Sequence, residues 1–100
     1  MAQIIWTDPA LNDLDAIADF IDLDKPLAAR RLIQKIFKKV GLLARFPRLG
    51  KFPSELKKLP YRRMIVGPCR IFYRIQGGRI FIVAVLRGER RVSASLLRRS

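Results

Sequence analysis

The chemistry on offer in this 100-residue chain is carried by cations. After the apolar run 80–86 the sequence turns abruptly into Arg87, Gly88, Glu89, Arg90 and Arg91, a basic cluster at the end of its most continuous hydrophobic segment. A second group lies in the segment 48–60 and just beyond it, where Lys51, Glu55, Lys57 and Lys58 precede Tyr61, Arg62 and Arg63. Such groups bind phosphate and carboxylate, and loops carried on a rigid scaffold are the usual place for them.

Other chemistry is excluded or weak. The chain has no histidine, which removes histidine acid–base catalysis, the Ser-His-Asp and Cys-His arrangements and the commonest zinc ligand. Cys69 is the single cysteine, so no intrachain disulfide forms, and it reads as a buried structural thiol rather than a nucleophile. Asp15, Asp19 and Asp22 share a helix face, yet carboxylates on one helix rarely close an octahedral magnesium shell, and they read as a solvated surface. No cofactor and no metal are expected.

The sign of the charge narrows the partners. All 21 Lys and Arg lie at or after Lys25, whereas six of the eight acidic residues precede it, and the net charge is +13. A handful of excess charges would keep a small domain soluble; this excess predicts a polyanionic or acidic partner, such as nucleic acid, a ribosome or an acidic protein. The N-terminus has no basic leader and long apolar core, and no run approaches the roughly 20 residues needed to span a bilayer. A cytoplasmic protein away from membranes is expected.

The elements that must position these residues follow from periodicity. One hundred residues suit one domain with one core of helices on a sheet. The run 3–6 reads as a first strand. Thr7-Asp8-Pro9 reads as a helix start for residues 9–22, with Leu11, Leu14, Ile17, Ala18 and Ile21 as its apolar stripe. Asp24-Lys25-Pro26 opens a second helix by the same grammar. Its stripe is Ala29, Leu32, Ile33, Ile36, Phe37, Val40 and Leu43, and Phe46-Pro47 ends it. The short connection makes the pair an antiparallel hairpin across one face of the sheet. The stretch 61–91 is a three-stranded antiparallel meander, punctuated by Gly67-Pro68 and Gly77-Gly78. Within it Ile71, Tyr73 and Ile75 alternate with Arg70, Phe72 and Arg74. The run 80–86 is apolar throughout, as a strand covered on both faces should be, and the two helices are expected to cover it. Residues 54–59 suit a helical turn and 92–100 a short terminal helix or tail, in which Leu96 and Leu97 are either packing or a spot a partner covers. The fold class is α+β, in the order β-α-α-β-β-β.

In this order the chain resembles the RelE/ParE superfamily of toxins from bacterial type II toxin–antitoxin modules. The carriers are Trp6 with Asp13-Leu14 and 17–21, Pro26 with Ala28-Ala29, and Leu43 with Phe46-Pro47 and Gly50. The late signature is Tyr61-Arg62, the stretch 70–74, and Val85-Leu86-Arg87-Gly88-Glu89-Arg90. The resemblance implies a single toxin domain over residues 1–100 and a cognate antitoxin bound in a hetero-oligomer, with Leu96 and Leu97 among the antitoxin contacts.

Two targets follow from the resemblance. ParE-like members inhibit DNA gyrase, and RelE-like members cut messenger RNA on the ribosome without a metal. The ribonuclease alternative assigns catalysis to Arg70, to Arg87 or Arg90, and to Lys57, Lys58 or Glu55. That pattern lacks its late tyrosine, since residues 92–100 contain none. The ParE-like pattern fits better: Arg87 stands where that family usually has histidine, and Gly88 and Arg90 match. Target-binding residues are then Arg62, Arg87, Arg90, Arg91, Arg98 and Arg99. A third reading, a non-toxic basic RNA-binding protein, is weaker for want of exposed aromatics interleaved with the cations.

Overall fold

The structure, a computed structural model, describes every residue except Glu89 and Ser100. Gln3–Trp6 forms strand β1, and Thr7 begins helix α1 (Asp8–Asp22), accepting the Ala10 N–H on its side-chain oxygen. Helix α2 (Pro26–Gly41) continues as a 3-10 turn over Leu42–Ala44. Its N-cap is Lys25, with no side-chain capping bond, so Asp24 does not cap it. The fixed φ of Pro26 in the first turn is what remains of the expected start signal. A second 3-10 turn, Ser54–Leu56, precedes strands β2 (Tyr61–Val66), β3 (Cys69–Gln76) and β4 (Arg79–Arg87), and helix α3 (Ala94–Leu97) follows.

The sheet order is β1-β4-β3-β2. The meander is antiparallel, whereas β1 joins β4 in parallel, with Gln3 opposite Arg79 and Trp6 opposite Ile82. Gly77 and Gly78 both take positive φ (57° and 73°), the backbone that a two-residue hairpin between right-twisted strands requires.

Both faces of β4 are covered, but not by one kind of element. The helix-side core joins Ala10 and Leu14 of α1 and Ile36 and Val40 of α2 to Ile71, Tyr73, Ile80, Ile82 and Val85 of the sheet. The opposite face carries Phe72, Val83, Ala84 and Leu86, and there the cover is Leu56, Leu59, Val92, Leu96 and Leu97. The hairpin of helices lies across one face, as expected, and the loop and tail, which the sequence reading did not assign as cover, close the other. A bulge sets the phase. Phe72 pairs with Ala84 and Tyr73 with Ile82, leaving Val83 extra, so Val83 and Ala84 share the tail-side face before Val85 returns to the helices.

The helix stripes need two corrections. Ala10 is buried while Leu11 is at the surface, and Phe37 is nearly half exposed at the margin, its ring centroid 4.9 Å from that of Trp6. Among the described residues no helix is long and apolar enough to cross a membrane.

Candidate target-binding site

The site begins where β4 loses its neighbour. Pairing with β1 ends at Ile82, whose carbonyl accepts the Thr7 N–H at 3.1 Å and the Thr7 hydroxyl at 2.7 Å. Beyond it, side chains replace a strand. Asp13 of α1 accepts the Val85 N–H at 3.1 Å, and Arg99 donates to both Asp13 carboxylate oxygens, the Nη1 bond being 3.0 Å, and to the Val83 carbonyl at 3.4 Å. Backbone groups next to the bulge are thus satisfied by a helix carboxylate that is itself held by the tail.

Beside this latch lies a groove of about 290 Å³ between α1 and the end of β4. Ala16, Ile17 and Val85 supply apolar wall, and Asp13, Arg87 and Arg90 supply charge. Phe20 also lines it, 61% exposed, and the Arg87 guanidinium carbon sits 4.9 Å from its ring centroid. The ring holds the cation in a cation–π contact at the groove mouth while both remain accessible.

Arg70 and Arg87 occupy adjacent strands but point to opposite sides. Arg87 is in phase with Val85 and the helix-side core; Arg70 is in phase with Phe72 and the tail-side core. Arg70 donates to the Arg90 carbonyl, and its buried Nε has no hydrogen-bond partner among the described residues. Glu89, just before Arg90 in the chain, lies outside the described residues. Arg70 therefore braces the segment that carries Arg90, as well as standing on the nuclease list. Cys69 is fully buried beneath this corner. Burial pushes its thiol up from the usual 9.0, and the charge of Arg87 offsets part of that, so it stays a neutral thiol at physiological pH.

The remaining expected residues disperse. Arg62 donates to the Gly50 carbonyl at 2.9 Å and stacks 4.2 Å from the Phe52 ring centroid. Its row of the sheet is four residues from the row of Arg87, about 13 Å along the strand, so Arg62 is not part of the groove. Glu55 forms a 3.6 Å ion pair with Arg63, and Lys57 and Lys58 are exposed beside that turn. Arg91 and Arg98 are exposed, whereas Arg99 is engaged by Asp13. Leu97 is fully buried and Leu96 half-buried, so Leu97 meets a partner only if α3 leaves the sheet. Asp15, Asp19 and Asp22 are solvated.

Sequence reasoning missed Asp13, Phe20 and the exposed rings of the α2–β2 loop. Asp13 looked like one more acid on an acidic helix, yet its spacing from Ala10 and Ile17 (i−3, i+4) places it at the margin of the buried stripe. Phe46 and Phe52, 54% and 58% exposed, stand among Arg45, Arg48, Lys51 and Arg62, so the surface does interleave aromatics with cations.

Comparison with known proteins gives a consistent result. The family described as ParE toxin of type II toxin–antitoxin system, parDE, matches residues 4–92. Toxin RelE2 of Caulobacter vibrioides is 35% identical over 91 residues, covering 90% of this chain and 99% of that protein. Toxin ParE3 of the same organism is 30% identical over 97 residues, covering 96% of each. Among solved structures, a chain of the chromosomal ParDE system from P. aeruginosa superposes with a TM-score of 0.76 at 29% identity, covering 89% of this chain and 98% of that one. A chain of the RelBE2 toxin–antitoxin complex from Mycobacterium tuberculosis has a TM-score of 0.58 at 24% identity, with 86% and 96% covered, a likeness of fold alone.

Proposed function

The chain belongs to the ParE toxin family of type II toxin–antitoxin systems, and on that premise we propose that it is a toxin that acts by binding rather than by cutting. A cognate antitoxin holds it silent in the cytoplasm, and once free it inhibits DNA gyrase through the cationic end of β4. Arg87 and Arg90 at the groove make the principal contacts, and Arg91 and Arg98 extend the charged surface.

The observation that carries this reading is the placement of Arg70 and Arg87 on opposite faces of the sheet. Cleavage of RNA needs cations converging on one phosphorane and a base within hydrogen-bond reach of the 2′-hydroxyl. Two guanidiniums separated by the sheet do not converge, and both tyrosines, Tyr61 and Tyr73, are buried. Binding needs only a complementary surface, and the groove offers apolar wall and cationic rim together. The same composition suits an acidic, amphipathic antitoxin segment, lying in the groove or along the open edge of β4.

Two assays with the purified chain decide between the targets. In a gyrase supercoiling assay the wild type is expected to inhibit, and Arg87→Ala with Arg90→Ala to weaken inhibition by tenfold or more, with circular dichroism unchanged. In a reconstituted translation reaction messenger RNA is expected to stay intact by primer extension. Unaltered supercoiling together with ribosome-dependent cuts lost in Arg70→Ala would overturn the reading in favour of a ribonuclease. Co-purification from a two-gene expression unit tests the antitoxin.

A further inference from the structure

From Lys25 to Ser54 the chain contains nine Lys and Arg and not one Asp or Glu. A protein partner almost always brings some cations with its anions, and this stretch has no carboxylate to meet them. A nucleic acid brings one sign only.

The end of that stretch is built as two ring-and-cation units. Phe46, 54% exposed, lies between Arg45 and Arg48; Phe52, 58% exposed, follows Lys51 and has the Arg62 guanidinium stacked on its ring. Arg45, Arg48 and Lys51 are exposed themselves. Beside Phe46, Leu49 and Ile75 complete an apolar hollow of about 540 Å³. Two half-exposed rings with cations at their sides match what unpaired nucleotides present, a flat apolar face on each base and a phosphate between bases.

The loop is also held in one shape, so little order need be lost on binding. Tyr73 Oη accepts the Gly50 N–H at 2.8 Å and donates to the Pro47 carbonyl at 2.7 Å, Arg62 takes the Gly50 carbonyl, and Lys51 pairs with Arg63 through both backbone bonds.

We propose that the α2–β2 loop, through Phe46 and Phe52 with Arg45, Arg48, Lys51 and Arg62, is a stacking platform for single-stranded nucleic acid. It lies away from the groove of Arg87 and Arg90, and it stands or falls independently of gyrase inhibition. RNA and single-stranded DNA share the required chemistry, and the test separates them.

Fluorescence anisotropy of the purified chain with labelled oligouridylate, oligothymidylate and a duplex of equal length, at physiological salt, is the experiment. Both single strands are expected to bind at least tenfold more tightly than duplex, and the tighter of the two identifies the source. Phe46→Ala and Phe52→Ala should each weaken single-strand binding about tenfold and leave duplex binding unchanged. Phe52→Leu, which keeps an apolar side chain without the flat face, should lose as much as Phe52→Ala. Arg31→Ala removes a charge and no ring, and should weaken single strand and duplex equally and modestly. Thermal melting confirms that the Phe variants fold, as over half-exposed rings predict. Equal binding of duplex and single strand, or single-strand binding unmoved by the Phe variants, would reduce the surface to a non-specific charge effect and overturn the proposal. Competition by polyglutamate at equal charge concentration would overturn it in favour of an acidic protein.

Discussion

The two faces of the sheet bury similar side chains by different means. On the helix side, α1 and α2 lay continuous stripes over Ile71, Tyr73, Ile80 and Ile82, and each stripe residue is fixed within a helix of fifteen or sixteen residues. On the other side a 3-10 turn and a four-residue helix cover Phe72, Val83 and Leu86. A helix that short has no stability of its own in water. It persists because Leu97 is buried, Ser93 caps it by accepting the Leu96 N–H at 3.2 Å, and Arg99 reaches Asp13. The difference marks one face as the scaffold and predicts that the other, held by a short helix and a loop, opens before the chain unfolds.

Breaking the scaffold should have the largest effect. Ile36 is fully buried between α2 and the sheet, and Ile36→Ala is expected to cost about 2–5 kcal/mol in urea unfolding, in one cooperative transition. Next comes the joint that ties the α2–β2 loop to this face. A Cβ on Gly50 would lie 2.7 Å from Tyr73 side-chain atoms and 2.9 Å from the Arg63 carbonyl, so Gly50→Ala should cost about 1–3 kcal/mol, read by the same measurement.

On the closure the comparison sharpens. Leu97→Ala also empties a buried site, yet α3 can detach instead of leaving a cavity in a folded core. The global cost should stay under about 2 kcal/mol, with hydrogen-exchange protection lost first at Leu97 and Arg98. Arg99→Ala should cost less still, about 1 kcal/mol or below, and speed exchange at the same amides. A cost for Leu97→Ala equal to that of Ile36→Ala, with exchange unchanged in α3, would show that the two faces are one unit.

Alkaline titration gives the smallest effect and belongs to the scaffold. Cys69 and Tyr73 both lie in the helix-side core, and burial raises them from 9.0 and 10.0. The folded chain keeps those protons at pH values where the unfolded chain releases them. Their contribution is therefore complete below pH 9.0 and declines as the pH climbs through the raised values. Cys69→Ala should flatten the early part of that decline in melting temperature.

Much of the scaffold was legible because periodicity states it directly. The alternation of Ile71 and Tyr73 with Phe72 gave β3 its two faces, and the unbroken run 80–86 announced a strand covered twice. What covers the second face was not legible. Leu56 sits in a proline-bounded loop and Leu97 in an arginine-rich tail, and neither has neighbours at a regular spacing that would mark it as core. The bulge at Val83 was hidden for a related reason: in a strand apolar on both sides, one extra residue leaves no break in the pattern. Arg70 and Arg87 could be named from the sequence, but their opposite directions depend on the one-residue shift of register that the bulge introduces. Arg62 reads as a target-binding cation, and its part in bracing Gly50 needed the structure.

The parallel ladder between β1 and β4 also governs when the molecule can exist. Residues 3–6 leave the ribosome well before the strand they pair with, which ends at residue 87. Until that segment emerges β1 has no partner, and Asp13 has neither Val85 nor Arg99 to meet. A chain cut before residue 79 thus lacks a central strand, and the cationic groove forms only after residues 85–90 are made. The groove's competence to bind is timed by the emergence of β4 and not by the helices that form its wall.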